Sequence, residues 1–178
     1  MKERKAKIVA VCIGERKGER KRRVESVRLR EDYGIEGDAH AGRWHRQVSL
    51  LSSESINRMG NHAAGDFAEN ITTEGINLSS LSVGTRLIAG EALLEVTQIG
   101  KECHSKCAIY NQSGDCIMPR EGIFTRVLKG GEVKPGDDVL VQDDASVSDR
   151  SLRWSLHNLS YILFLPSFSI FLFCLEKA

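Results

Sequence analysis

The chain has 178 residues, of which 41% are hydrophobic and 28% are charged, and its net charge is +1. This composition is typical of a soluble globular protein, and the length fits one domain plus an appendage better than two full domains. The amino-terminal segment is basic, but the apolar run at residues 8–13 is too short for a signal peptide, which favours a cytoplasmic location. The five cysteines are therefore expected to be thiols rather than disulfides.

The small net charge conceals an asymmetry. Residues 1–30 contain twelve Lys or Arg against four Asp or Glu, a local balance of +8, so the remainder of the chain sums to −7. Much of the excess lies at residues 16–23. Such a segment is either a solvated loop or an electrostatic rim that attracts an anion such as a phosphate. Nucleic acid is disfavoured because no aromatic side chains are interleaved with the charges.

Short β-branched runs separated by glycine-rich turns dominate residues 6–142. The predicted strands are residues 7–14, 23–30, 47–51, 71–73, 85–89, 92–98, 124–128 and 139–142. A short helix is expected to begin near Ser52, which is a good N-cap, and to end at Gly60. This pattern predicts an all-β dominated fold, a barrel with a few short helices.

The composition changes after Gln142, and the chain divides accordingly. Residues 1–142 form the predicted domain, residues 143–158 resemble a polar linker, and residues 159–178 form a hydrophobic tail. Residues 159–175 carry no charge and are interrupted by Pro166. The tail is a membrane anchor, a packed helix, or a non-native segment left by truncation or frameshift; its Phe, Ser and Leu bias favours the last.

Cys103 is the predicted reactive residue, in a turn that follows the strand at residues 92–98. Lys101, His104 and Lys106 lie within three positions of it. Cationic neighbours stabilise a thiolate, which is the form that attacks sulfur or binds a soft metal. Cys12 lies inside an apolar strand and is interpreted as packing.

A structural zinc site is a competing interpretation of the same stretch. Cys103, His104, Cys107 and Cys116 offer up to four ligands within fourteen residues. The Cys-x3-Cys spacing differs from the tighter Cys-x2-Cys spacing of most structural zinc sites, and no second pair of that kind is present. Zinc therefore stays an alternative to a single reactive cysteine.

Two glycine-rich blocks supply further candidates. Residues 34–43 include Asp38, His40 and Arg43, and residues 65–75 include Asn70. Clustered glycines let a backbone approach a ligand closely, and the polar side chains add reach. Each block is equally a tight turn whose side chains satisfy loop amides.

Taken together, these blocks resemble the MOSC family, the module found at the carboxy end of molybdenum cofactor sulfurases, and in particular its stand-alone bacterial branch. The resemblance spans about residues 6–142. It rests on Cys103 and on residues 34–42, 46–50, 65–75, 83–98 and 126–137. The sequence after Cys103 departs from the Lys-Leu type segment found in many members.

The resemblance implies a MOSC-type β-barrel with Cys103 in its pocket as a persulfide carrier or a ligand of molybdenum. The implied cofactor is the molybdenum cofactor, a molybdopterin. The residues expected to bind it are Asp38, His40, Arg43, Asn70, Lys101, His104, Arg20, Arg22 and Arg23. The three arginines of the basic segment would hold the pterin phosphate.

The primary hypothesis is a cofactor-binding or sulfur-carrier module, and the alternative is a molybdenum-dependent reductase of N-hydroxylated compounds. No site for pyridoxal phosphate is expected, because the chain has no room for a desulfurase domain. A cysteine desulfurase or a molybdoenzyme is the expected sulfur donor or acceptor. No nucleic acid partner is expected, and membrane contact would have to come through residues 159–175.

Overall fold

The computed structural model describes residues 5–103 and 108–142, and β-strands dominate this part of the chain. The strands are β1 (Lys5–Ile13), β2 (Arg22–Val24), β3 (Val27–Arg30), β4 (Gly34–Ile35), β5 (Val48–Ser52), β6 (Ile71–Glu74), β7 (Arg86–Ala89), β8 (Ala92–Ile99), β9 (Ile123–Lys129), β10 (Gly131–Val133) and β11 (Asp138–Gln142). The helices are α1 (Ser53–Arg58), α2 (Ala108–Ser113) and α3 (Met118–Glu121), with a 3₁₀ turn at Leu78–Ser80.

Seven strands close into a barrel. Their order is β1, β6, β5, β9, β8, β7 and β11, and β11 pairs back onto β1 through Lys5 and Leu140. All the neighbours in the ring are antiparallel except β5 and β6. Closure leaves the ring without a free edge strand. The predicted strand-dominated barrel with a few short helices is confirmed.

The hairpin of β7 and β8 shows why the sequence forms these strands. Arg86 pairs with Glu95 and Ala89 with Ala92 across the turn at Gly90. Burial alternates along β7, as the period of two in a strand requires. The inward residues join a barrel core that includes Leu87.

The prediction of a single strand at residues 23–30 is wrong, because the structure has two strands there, β2 and β3. The first strand ends at Val24 and a second strand begins at Val27. β2 pairs with β1, while β3 pairs with β10 in a separate three-stranded sheet. The alternation of apolar and polar residues changes phase between Val24 and Val27, which are three positions apart. Such a phase change signals an interruption, but it does not identify the new partner strand. The expected helix is confirmed, since the Ser52 hydroxyl caps α1 by accepting from the Ser55 amide at 3.1 Å.

A buried ion pair joins the end of the basic segment to the first glycine-rich block. The ammonium of Lys21 lies 2.8 and 2.7 Å from the two carboxylate oxygens of Asp38, and the two side chains are 1% and 0% exposed. The Lys21 amide also donates to the Gly65 carbonyl at 2.9 Å. Gly65 has a φ of +93°, and a Cβ there would lie 2.2 Å from the Lys21 carbonyl oxygen, so only glycine fits.

Burial and pairing oppose each other in this ion pair. Burial lowers the pKa of Lys21, and the carboxylate of Asp38 counteracts that effect. Burial alone would raise the pKa of Asp38, but the adjacent His40 side chain, the charge of Lys21 and the hydrogen bond from the His40 amide hold it well below its usual range. Both groups are therefore charged near neutral pH, and each depends on the other.

We expect Lys21→Met to lower the free energy of unfolding by about 3–5 kcal/mol, because it leaves the Asp38 carboxylate buried without a counter-charge. Chemical denaturation measures the loss. The difference from wild type should narrow as the pH falls below about 4, because Asp38 is then protonated in the unfolded chain and in the folded variant, while the folded wild type still holds it as a carboxylate. Lys134→Met is the control, since Lys134 is 58% exposed in its pair with Asp137. Equal stability of both variants would contradict a central role for the pair.

The predicted linker at 143–158 and the predicted tail at 159–175 lie outside the described residues. Within residues 5–103 and 108–142, no helix is long and apolar enough to cross a membrane.

Candidate functional site

A cavity of about 80 Å³ opens beside Cys103. Its polar lining residues are His40, Arg46, Ser49, Asn70, Lys101 and Cys103. Its apolar wall includes Phe67, Ile109, Met118 and Phe124. Both glycine-rich blocks and the cysteine turn therefore contribute to one site, as the sequence interpretation requires.

Cys103 reaches this cavity because the chain turns sharply after β8. Gly100 adopts a φ of +64°, and a Cβ there would lie 2.3 Å from the carbonyl oxygen of Pro119. The Gly100 amide donates to the Gly122 carbonyl at 2.7 Å, and the Gly100 carbonyl accepts from the Gln98 side chain at 2.8 Å. These contacts anchor the turn, and Cys103 stands exposed just beyond it.

Glu69 organises the second glycine-rich block from the inside. Its carboxylate accepts from the amides of Gly65 at 2.5 Å and Phe67 at 3.2 Å, and from the Thr72 hydroxyl at 3.1 Å. Burial raises the pKa of Glu69, and the hydrogen bonds to loop amides counteract the shift. Sequence analysis missed this role. A carboxylate four residues after a loop-opening glycine was the available signal.

Asn70 lies in the cavity wall, but protein groups satisfy its amide. Its Oδ1 accepts from the Ser49 amide at 3.1 Å and from the Ser49 hydroxyl at 3.0 Å, while its Nδ2 donates to the Cys12 carbonyl at 3.1 Å. The Ser49 hydroxyl also contacts the Ala68 carbonyl at 3.3 Å. Asn70 thus holds β1, β5 and the loop together, and its side chain has little capacity left to bind a ligand.

Asp38 does not line the cavity. Besides Lys21, its carboxylate accepts from the amides of Gly14 at 3.0 Å and His40 at 2.9 Å. Its place in the structure is to position His40, which does line the cavity. The Trp44 indole fixes the same residue by donating to the His40 carbonyl at 2.7 Å. The Nδ1 of His40 lies 3.4 Å from Asp38 Oδ1 without hydrogen-bond geometry.

Arg46 is a cavity residue that the sequence analysis did not select. Its guanidinium lies 4.9 Å from the centroid of the Trp44 ring and 5.7 Å from that of Phe124. Its Nε is buried and has no hydrogen-bond partner within the part of the chain that the structure describes. Arg46 opens the block at residues 46–50, directly before a buried strand, and a cation at a strand entrance could have marked it.

The four predicted arginines are not among the residues that line this cavity, although Gly18 of the same basic segment is. Arg20 pairs with Asp66 at 3.5 Å, Arg23 donates to the Val9 carbonyl at 3.3 Å, and Arg22 is exposed on β2. Arg43 is 87% exposed and lines a separate groove of about 460 Å³. That groove also contains Trp44, His45, Thr97 and Arg126.

Three members of the predicted cysteine cluster, His104, Lys106 and Cys107, lie outside the described residues. Among the residues that the structure does describe, no group of three or more His, Cys, Asp or Glu side chains is placed to hold a metal ion. Because His104 and Cys107 belong to the proposed zinc set, the zinc interpretation stays an untested alternative.

The fold and the site define a class of protein, a closed β-barrel that presents a thiol in a small cationic cavity. The model of the MOSC domain family matches residues 37–140, more than half of the chain. The chain belongs to the MOSC domain family, which is associated with the molybdenum cofactor. No curated protein matches the chain.

Solved structures share the fold. The YUAD protein from Bacillus subtilis is 22% identical with a TM-score of 0.66, and the match covers 79% of this chain and 97% of that one. YiiM from Geobacillus stearothermophilus is 22% identical with a TM-score of 0.58, covering 78% and 75%. YiiM from Escherichia coli is 19% identical with a TM-score of 0.56, covering 80% and 70%. At these identities the likeness concerns the fold alone.

Cys103 and Cys12 should differ in reactivity in the native protein. Burial and the nearby Glu69 raise the pKa of the Cys12 thiol to about 12, and that side chain is fully buried, whereas Cys103 is exposed. Iodoacetamide at neutral pH should therefore label Cys103 and leave Cys12 unmodified until guanidinium unfolds the chain. Peptide mass mapping before and after unfolding measures both sites. Labelling of native Cys12 at the rate of Cys103 would contradict the packing described here.

Proposed function

We propose that this protein is a sulfur-carrier module in which Cys103 holds sulfane sulfur as a persulfide. The observation that carries the proposal is the setting of Cys103, an exposed thiol in a cavity that Arg46 and Lys101 also line. No Asp or Glu side chain is among the described residues of that lining. A persulfide is an anion near neutral pH, so a cationic cavity stabilises the loaded form.

The loading step is a thiol exchange that balances without an added oxidant. The Cys103 thiolate attacks the terminal sulfur of a donor persulfide, the sulfur–sulfur bond of the donor breaks, and the donor leaves as a thiolate. Transfer to an acceptor repeats the same exchange in the opposite direction. The exposure of Cys103 allows a donor and an acceptor to reach the same sulfur in turn.

The cavity fits part of the molybdenum cofactor. A cysteine thiolate is a soft ligand of the kind that transition metals of this type accept, and the buried Nε of Arg46 has no hydrogen-bond partner in the described chain. The volume of about 80 Å³ is nevertheless small beside the roughly 300–1,000 Å³ of typical cofactor sites. The metal-bearing end of the cofactor would be held by Cys103, Arg46 and Lys101. When bound, the cofactor would supply redox chemistry there.

The groove of about 460 Å³ supports a second candidate, a molybdenum-dependent reductase of N-hydroxylated compounds. It is large enough for a cofactor-sized ligand and carries Arg43 and Arg126. The Trp44 ring in its wall contacts the Arg46 guanidinium, which links it to the Cys103 cavity. Reduction of an N-hydroxylated substrate by chain purified from a molybdopterin-competent host would favour this candidate over the carrier.

Inorganic polysulfide should add one sulfur atom to Cys103 in the full chain under anaerobic conditions. Intact-mass measurement detects the added sulfur, cyanide should remove it as thiocyanate, and peptide mapping locates it. Cys103→Ser should abolish the sulfur that peptide mapping assigns to the cavity, because Cys103 is the exposed thiol among the described cysteines. The matched control is Cys12→Ala, which removes a buried thiol from β1 and should load as wild type does.

Cys116 provides a second check, because it is buried and lines the same cavity. Loading that is lost to the same extent in Cys116→Ser as in Cys103→Ser would replace the single-cysteine proposal with a site of several thiols. Wild-type chain that takes up no sulfur from polysulfide would overturn the sulfur-carrier function.

A further inference from the structure

The charged side chains in the described lining of the Cys103 cavity are all positive. Arg46 and Lys101 line it, and two buried acids of the surrounding loops, Asp38 and Glu69, are engaged elsewhere. Asp38 accepts from Lys21 and two amides, and Glu69 accepts from two amides and a hydroxyl. An anion entering the cavity therefore meets positive charge without a competing carboxylate in its described lining.

Among the described arginines, Arg46 is the one with a buried guanidinium N–H that has no hydrogen-bond partner. Arg20 and Arg126 have carboxylate partners, and Arg30, which contacts the Tyr33 ring, is exposed. Within the described chain, Arg46 has ring contacts only, and its Nε is buried without a hydrogen-bond partner. A buried guanidinium N–H without an acceptor is destabilising, so water or a ligand oxygen completes it in solution. The two rings hold the group in place before a ligand arrives.

The size of the cavity limits the class of ligand. About 80 Å³ accommodates a small anion of a few heavy atoms and is far below the space that a drug-sized molecule needs. A guanidinium forms paired hydrogen bonds with the oxygens of a planar or tetrahedral oxyanion. The Cys103 thiol in the same cavity requires an electrophilic sulfur within that small molecule if it is to be loaded there.

We propose that Arg46 binds the oxyanion end of a small sulfane-sulfur donor of the thiosulfate class, whose terminal sulfur passes to Cys103. This inference rests on the proposed sulfur-carrier function and names its donor. The Cys103 thiolate attacks the terminal sulfur of thiosulfate, a Cys103 persulfide forms, and the sulfur–sulfur bond of the donor breaks. Sulfite leaves with the electron pair of that bond, so atoms, charge and electrons balance.

In this exchange the guanidinium of Arg46 stabilises the negative charge that develops on the departing sulfite. Lys101, in the turn that carries Cys103, adds a second positive charge to the cavity. The Ser49 hydroxyl contributes no bond to the donor, since it is bonded to Asn70 and Ala68. Arg46 thus determines the specificity for a donor that carries an oxyanion. A polysulfide has no oxyanion end, so its loading depends on Arg46 only through the positive charge of the cavity.

The test measures loading of the full chain from thiosulfate and from polysulfide, by intact mass and by the thiocyanate that cyanide releases. For Arg46→Gln we expect kcat/KM with thiosulfate to fall by about 10- to 100-fold, the effect of losing a charged hydrogen bond. Loading from polysulfide should fall much less, because the variant then removes one positive charge of the cavity but no contact with an oxyanion. Arg46→Lys keeps the charge but loses the forked geometry, and should lie between the two. Arg28→Gln, an exposed arginine of β3, is the matched control for charge.

The outcomes separate the two proposals. Wild-type chain that is loaded by polysulfide but not by thiosulfate overturns the donor assignment and leaves the carrier function standing. Equal thiosulfate rates in Arg46→Gln and Arg28→Gln would also overturn it. Loss of loading from both donors in Arg46→Gln, with an unchanged thermal unfolding temperature, would make Arg46 a residue of thiol activation and not of donor binding. Failure of both donors on wild-type chain defeats the carrier function itself.

Discussion

The site depends on one buried contact, the ion pair of Lys21 and Asp38. Through its ammonium Lys21 holds the first glycine-rich block, and through its backbone it holds Gly65 at the start of the second. A buried pair is stabilising only when both charges and their remaining hydrogen-bonding groups are satisfied, and Asp38 meets this condition by also accepting from Gly14 and His40. Lys21 of the basic segment therefore has a structural role in the site. The exposed arginines of the same segment take no part in this ion pair.

This arrangement also divides the charges of the site. The carboxylates of Asp38 and Glu69 face inward, where they bond to loop amides, and both loops are shaped around them. The cations Arg46 and Lys101 face the cavity beside Cys103. Acids that build the loops and cations that face the ligand give a small site suited to an anion, whether that anion is a persulfide or the sulfur-rich end of a cofactor.

The barrel could be predicted from the sequence because its signals are local. Alternating burial and glycine turns determine strands such as β7 and β8, and Ser52 marks the start of α1. The change of sheet between β2 and β3 could not be predicted, since strand partners are set by distant parts of the chain. For the candidate site, Cys103 was selected through its neighbours and its family block, and it lines the cavity. Asp38 and Asn70 were selected as ligand-binding residues, yet internal partners occupy them. Arg46 was missed because its one local signal, a cation directly before a buried strand, does not show that the side chain faces a cavity.

The most direct test of this account is the chemical state of the full chain when it is purified without reductant from a host that makes molybdopterin. Intact-mass and peptide analysis determine the sulfur on Cys103, and elemental analysis determines molybdenum in the same sample. The account predicts a cyanide-labile extra sulfur on Cys103 and molybdenum well below one atom per chain. One molybdenum atom per chain with an unmodified Cys103 would contradict it.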